Sequence, residues 1–249
     1  MRQQLSGRTA LVTGSSRGIG QAIVMALAEQ GADVYAHARA VTPEFSDTMH
    51  DAAQRFGVQI RPIAFDLLDS AEMKRVITTE ISRKPGLDIL VNNAGVAHGG
   101  LAQMTPIQAI RDVFDVNFFA QIELTQLLLR RMSRSGQACV VNVTSIAGID
   151  LKAGNIAYGC SKAALIAATK TMAAEMAPSG VRVNAVAPGL TDTDMAGQMD
   201  PAAGAAMVAD SAMKRLALPE EIANTVVFLV SDAASFINGQ VLRLDGGSA

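Results

Sequence analysis

One stretch near the amino-terminal end restricts the fold more than any other. Thr9-Ala10-Leu11-Val12-Thr13 is a short apolar, β-branched run that stops at Gly14. Such a run reads as a buried strand. Gly14-Ser15-Ser16-Arg17-Gly18-Ile19-Gly20 follows, then a helix-forming stretch from Gln21 to Gln30 that Gly31 closes. Asp33 to Ala38 reads as the next strand. Strand, glycine turn, helix and strand together make the βαβ unit of a dinucleotide-binding fold. Glycine lets the backbone approach a pyrophosphate closely, and the helix N-terminus behind the turn adds positive potential. The spacing is Gly-x-x-x-Gly-x-Gly, which makes Gly14, Ser16, Arg17, Gly18, Ile19 and Gly20 the candidate phosphate contacts.

The rest of the chain keeps the same alternation. A helix is predicted over 43–56 and a strand over 59–65, with Pro62 placing that strand at a sheet edge. Ser70 is the predicted N-cap of a helix from Ala71 to Arg83. Further strands are predicted over 87–91, 137–144, 181–187 and 240–244, with helices from Pro106 to Arg134, around Tyr158 to Ala177, and from Pro219 to Val230. Residues 190–213 are alanine-rich without a clean period, and Met195, Met199, Met207 and Met213 there read as core filler or, in preference, as a flexible apolar lid. Alternation of this kind predicts one doubly wound α/β domain over residues 1–249, a seven-stranded parallel sheet covered by helices on both faces. Ligands of such sheets bind at the carboxyl ends of the strands, where Gly14, Asp66, Asn92, Ser145 and Pro188 all fall.

Composition narrows the partners. The formal net charge is −2, which argues against a nucleic-acid or anionic-membrane surface. There is no run of 18 or more apolar residues and no apolar leader at the N-terminus, so a cytoplasmic protein is expected. Two cysteines, Cys139 and Cys160, and three scattered histidines, His37, His50 and His98, give no disulfide framework and no metal spacing.

A second constellation carries chemistry. Tyr158 and Lys162 stand four residues apart at the head of a helical run, which puts phenol and ammonium on one face. A free tyrosine titrates near pH 10, and a neighbouring cation lowers that value. Bringing it near 7 takes about 4 kcal/mol, whereas one lysine in water supplies about 1 kcal/mol at 4 Å. The pair therefore needs a dry site or a second positive charge, such as an oxidised nicotinamide.

With these motifs in place the chain resembles the short-chain dehydrogenase/reductases over its full length. The resemblance rests on Thr13–Gly20, Asn92-Asn93-Ala94-Gly95, Asn117, Ser145, Tyr158 with Lys162, and Pro188-Gly189. The closing Asn238–Gly247 stretch is similar to the subgroup of 3-oxoacyl-carrier-protein reductases. The family implies Tyr158 as general acid and base, Ser145 as the group that holds the substrate oxygen, and Lys162 as the partner of Tyr158 and of the nicotinamide ribose. It implies that Asn117 anchors, through its backbone, a water relaying protons to Lys162. It places Asp66 and Leu67 at adenine, Asn93, Ala94 and Gly95 beside the cofactor, and Pro188, Gly189, Thr191 and Thr193 at its nicotinamide and phosphate end. Ala38 holds the position where NAD-users carry an acid, and Arg39 follows it, so NADP(H) is expected over NAD(H). The expected reaction is hydride exchange between nicotinamide and a ketone or secondary alcohol, with a 3-oxoacyl thioester as one substrate. A dinucleotide-binding regulator without turnover, or an NAD-dependent dehydrogenase of the same family, stand as alternatives. The family also implies a homotetramer paired through the helices from Pro106 and Tyr158. Arg130 and Arg131 match one basic position used to dock acidic carrier proteins; the second falls near Ala174, so weak docking is expected.

Overall fold

A computed structural model describes residues 4–81, 86–197 and 201–248. In chain order the elements begin β1 (Thr9–Val12), α1 (Gly18–Glu29), β2 (Asp33–Ala38), α2 (Pro43–Phe56), β3 (Ile60–Ala64) and α3 (Ser70–Val76), which runs into a π-helical turn at Ile77–Ile81. Next come β4 (Ile89–Asn92), α4 (Ile107–Phe114), a π turn at Asp115–Phe119, α5 (Ala120–Met132), β5 (Ala138–Val143), the short α6 (Ala147–Asp150) and α7 (Tyr158–Met176). The chain ends with β6 (Val181–Pro188), α8 (Asp194–Gly197), α9 (Pro201–Asp210), α10 (Pro219–Val230) and β7 (Val241–Leu244).

The strands form one sheet in the order β3-β2-β1-β4-β5-β6-β7, and each neighbouring pair is parallel. Side chains alternate across it as the pleat requires. Ala10, Val12, Ile89, Val91, Cys139 and Val141 join the core under α1, α2 and α10. Leu11, Leu90, Ala138 and Val140 join the core under α3, α5 and α7. Both faces are covered, which is why these strands read as unbroken apolar runs. The order reverses between β1 and β4, the place where such sheets bind their ligands beyond the carboxyl ends of the strands.

Local signals mostly fall where the sequence puts them. Helix α2 starts as expected: Thr42 Oγ1 accepts from Phe45 N at 3.2 Å, Pro43 takes the first turn, and Gly57 ends it in the left-handed conformation. Pro62 lies in β3, the edge strand. One helix start differs from expectation. The cap of α3 is Asp69, whose carboxylate accepts from Glu72 N at 2.9 Å, and Ser70 is the first helical residue. The predicted end at Arg83 lies outside the described residues. The expected lid contains two helices, α8 and α9; of its methionines, Met207 is half-buried and Met213 exposed, and Met199 lies outside the described residues.

Candidate active site

The cleft floor is tied together by buried amides. Asn93 Nδ2 donates to Thr13 O at 2.9 Å and Gly14 O at 3.0 Å, while Thr13 Oγ1 accepts from the backbone N–H of Asn93 at 2.9 Å and Ala94 at 3.0 Å. This clamps the end of β1 to the end of β4. A Cβ on Gly20 would stand 2.2 Å from Gly14 O, and one on Gly14 would stand 2.8 Å from Ala94 Cα, so neither position admits a side chain. Arg17 sits in the N-cap position of α1 in extended conformation and makes no side-chain cap. The donors at this helix start are therefore available to an anion. Ser16 and Arg17 are exposed, and Gly18 and Ile19 are half-buried.

Around this turn stand the other expected contacts. Arg39 is exposed directly after β2, whose last residue, Ala38, is buried. Asp66 is exposed and its carboxylate accepts from Leu68 N at 2.9 Å, while Leu67 is buried. Thr193 lies against the turn, its Cγ2 3.3 Å from where a Gly18 Cβ would be. Arg17 pairs with Asp194 at 3.3 Å. Thr191 is turned inward, buried and donating to Gly189 O at 3.2 Å, and Pro188 O accepts from Ile146 N at 3.0 Å.

On the β5 side, Ser145 follows the strand end and its Oγ accepts from Ala147 N at 3.1 Å. Tyr158 opens α7, and the Ser145 hydroxyl is close enough to oppose the rise in its pKa. Lys162, one turn on, is buried, with Nζ 5.8 Å from the centre of the Tyr158 ring and 2.8 Å from Val143 O, to which it donates. A Cβ on Gly95 would come within 3.4 Å of that Nζ. Asn117 lies in the π turn, fully buried. Its Oδ1 accepts from Val96 N at 2.8 Å, and its Nδ2 donates to Val96 O at 2.9 Å and Ser161 Oγ at 3.1 Å. The side chain is thus committed to the loop after β4 and to α7. π turns of this kind shift the helical ladder by one residue and recur at functional sites.

The electrostatics depart from expectation in one respect. The Tyr158 hydroxyl titrates above the ordinary tyrosine value, because burial outweighs the hydrogen bond from Ser145. Lys162 is pushed down to about 8, again by burial. Dryness was expected to help the pair. It strengthens the attraction between unlike charges, but it also penalises each charge, and here the penalty wins. Lys162 stays mostly charged at pH 7. Ionising Tyr158 takes the second positive charge named above.

The expected residues therefore gather at one cleft, and sequence reasoning missed several of their supports. Asn92 Nδ2 donates to Thr125 Oγ1 at 3.0 Å and Asn142 Oδ1 at 2.8 Å, and Asn142 Nδ2 donates to Thr169 Oγ1 at 2.8 Å. Together they link α5, β4, β5 and α7 behind the site. The signal was present: Asn92 and Asn142 are polar residues inside otherwise apolar strands. His98 is half-buried in the loop after β4.

Known proteins bear on this arrangement. The family described as "Enoyl-(Acyl carrier protein) reductase" matches residues 14–249. The 3-oxoacyl-[acyl-carrier-protein] reductase FabG of Aquifex aeolicus is 35% identical over 253 residues, covering 99% of each chain. The chain belongs to the short-chain dehydrogenase/reductase family. Solved structures of the same fold agree. The Pseudomonas aeruginosa RhlG/NADP active-site complex superposes with a TM-score of 0.90 at 35% identity, over 98% of this chain and 97% of that one. A 7α-hydroxysteroid dehydrogenase complexed with NADH and 7-oxo glycochenodeoxycholic acid gives 0.90 at 30%, over 100% and 96%. As a short-chain dehydrogenase/reductase, this protein is an NAD(P)-dependent oxidoreductase that interconverts carbonyl and alcohol groups.

Proposed function

We propose that this enzyme reduces small or thioester-linked ketones with NADPH in the cytoplasm. The observation that carries the reading is buried Lys162 one helical turn from Tyr158, its Nζ 5.8 Å from the ring centre, with Ser145 beside that phenol at the end of β5. Two hydroxyl donors side by side suit a single carbonyl oxygen. Bound nicotinamide supplies the hydride. Tyr158 gives its proton to the substrate oxygen, Ser145 holds that oxygen in place, and Lys162 keeps a positive charge beside the phenol. Asn117 fixes the loop over Gly95 against α7, and the π turn around it presents the backbone that anchors a relay water.

The cofactor fits the residues present. The open start of α1 would hold the pyrophosphate, Asp66 and Leu67 would lie at adenine, and Thr193 would lie at the phosphate end. Related structures carry either NADP or NADH, so the preference rests on this chain's own side chains. Two exposed guanidinium groups, Arg17 and Arg39, and no carboxylate at Ala38 favour a 2′-phosphate.

The Aquifex relative is a carrier-protein reductase. In this chain Arg130, Arg131 and Arg134 with Leu127 line a shallow recess of about 270 Å³ on α5. Ala174, the second docking position, is exposed but uncharged. Carrier docking is therefore weak. Exposed Ile107 and Phe119 on the α4–α5 run support a homotetramer paired through that surface and α7.

The test is a substrate panel of 3-oxoacyl thioesters, diketones and quinones, with and without carrier, followed by NADPH absorbance. Thioesters are expected to be reduced, and carrier linkage to change the rate little. An inert enzyme, or one far faster on carrier-linked substrate, contradicts this reading. Light scattering that gives a monomer at micromolar concentration contradicts the tetramer.

A further inference from the structure

His37 lies inside β2, 1% exposed, among apolar neighbours. Its two ring nitrogens and its carbonyl oxygen meet two turns. Its Nε2 stands 3.0 Å from Phe65 O, at the end of β3. A carbonyl only accepts, so the proton is assigned to Nε2 and Nδ1 is left with a lone pair. Gly14 N donates to that lone pair at 3.3 Å. The backbone carbonyl of His37 accepts from Ser15 N at 2.8 Å and Ser15 Oγ at 3.0 Å. The ring also packs on Phe65, centroids 4.0 Å apart.

Burial pushes this imidazole down to about 4, against the opposing pull of the Phe65 carbonyl and the Asp66 carboxylate. The ring is therefore neutral at working pH, and Nδ1 keeps its lone pair. Gly14 has φ +62° and is wedged against Ala94. Its N–H is the first donor of the glycine turn. A turn that must aim its following N–H groups at a pyrophosphate gains from having this first one held.

We infer that His37 is a positioning residue for the dinucleotide: by accepting the Gly14 N–H, with Phe65 O setting the required tautomer, it fixes the angle at which the glycine turn meets the pyrophosphate. The inference rests on the cofactor site proposed above and adds to it a residue outside that site.

Three variants of the full chain test it: His37→Asn, His37→Gln and His37→Leu. Asparagine Oδ1 stands close to the place of Nδ1 and accepts without needing a tautomer. Glutamine reaches the place of Nε2 and leaves Gly14 unpaired, as leucine does. NADPH affinity is read from nicotinamide fluorescence, beside kcat at saturating NADPH and the melting temperature. Gln and Leu are expected to weaken NADPH by about 10-fold, the effect of about 1.4 kcal/mol. Asn is expected to stay within about 3-fold of wild type, and all three to keep kcat within about 3-fold, since KM and not turnover carries a positioning defect. Adenosine 2′-phosphate, which lacks the pyrophosphate, is expected to bind all variants alike.

Wild-type affinity in the Gln variant overturns the proposal. So does an Asn variant that loses as much affinity as Gln, because a packing role would produce that. If Leu does not fold, the contrast of Asn with Gln decides. A wild-type chain that binds neither NADPH nor NADH overturns the cofactor reading, and this proposal with it; binding by wild type with no contrast among variants overturns this proposal alone.

Discussion

On the β1 side of the cleft the exposed working groups are backbone N–H donors, held by glycines whose Cβ positions are occupied by Gly14 O and Ala94. On the β5 side the working groups are side chains: Ser145, and Tyr158 and buried Lys162, whose protonation depends on burial. The first side tolerates a change of pH and not a change of shape. The second tolerates neither, and its two ionisable groups are both displaced toward their neutral forms. Binding is thus built from geometry, and chemistry from charges kept where they are costly.

The strongest way to break this contrast is Tyr158→Phe. It removes the proton donor and leaves the glycine turn alone. Turnover is expected to fall by at least about 100-fold, with NADPH binding unchanged by fluorescence titration. A variant within a few-fold of wild type would remove the β5 side from the mechanism. The matching change on the other side is Ala38→Asp with Arg39→Ala. It withdraws a cation from the 2′-phosphate and adds a repelling carboxylate. The ratio of kcat/KM for NADPH over NADH is expected to fall by about 100-fold, equivalent to about 3 kcal/mol, and an unchanged ratio would release Arg39 from its role.

Lys162→Met sharpens the idea that the β5 side is costly. Burial lowers Lys162 from 10.5 to about 8. Below pH 8 both folded and unfolded chains carry the charge, and the folded chain bears its desolvation. Between about 8 and 10.5 only the unfolded chain binds the proton, so wild-type stability rises with pH there. The methionine variant removes that term, and near pH 7 it is expected to be more stable by up to about 2 kcal/mol after loss of the Val143 hydrogen bond, while losing most activity. Paired melts at pH 7 and 9.5 check this: the variant's advantage must shrink at the higher pH, and a lysine variant less stable than wild type at pH 7 denies the cost. The smallest effect concerns Asp194, which holds Arg17 in an exposed ion pair. Asp194→Asn frees Arg17 for the 2′-phosphate and is expected to tighten NADPH about 2- to 5-fold, with NADH unmoved; equal shifts for both cofactors would mean the pair has no bearing on preference.

The β1 side was readable because its physics is local. A strand, three spaced glycines and a helix are contiguous, so spacing alone announces the turn. The sheet followed from alternation, with Pro62 marking its edge. The Tyr158–Lys162 pair was legible as four-residue spacing on one helix, whereas Ser145 joins it through tertiary structure and was legible only as a family motif. What stayed hidden was second-hand support. His37 looked like one of three scattered histidines, and its meaning depends on β2, β3 and the glycine turn meeting at one place. The sign of the Tyr158 shift was hidden for a related reason: it depends on how much water the folded site excludes, which residue spacing does not encode. The helix cap at Asp69 was off by one because Asp69 and Ser70 are both good caps, and only the reach to Glu72 N separates them.

The two ends of the sheet are unlike. At β3 the edge carries Pro62, which has no N–H to offer, and exposed Arg61. At β7 the edge has no proline, Val241, Leu242 and Leu244 are half-buried, and Phe236 a few residues before the strand is fully exposed. An open strand edge invites another chain, and a blunted one refuses it. A molecule with one of each can be joined once at its sheet, by a two-fold mate, and then offers no second edge. Strand addition at one open edge is self-limiting, whereas two open edges would permit endless growth.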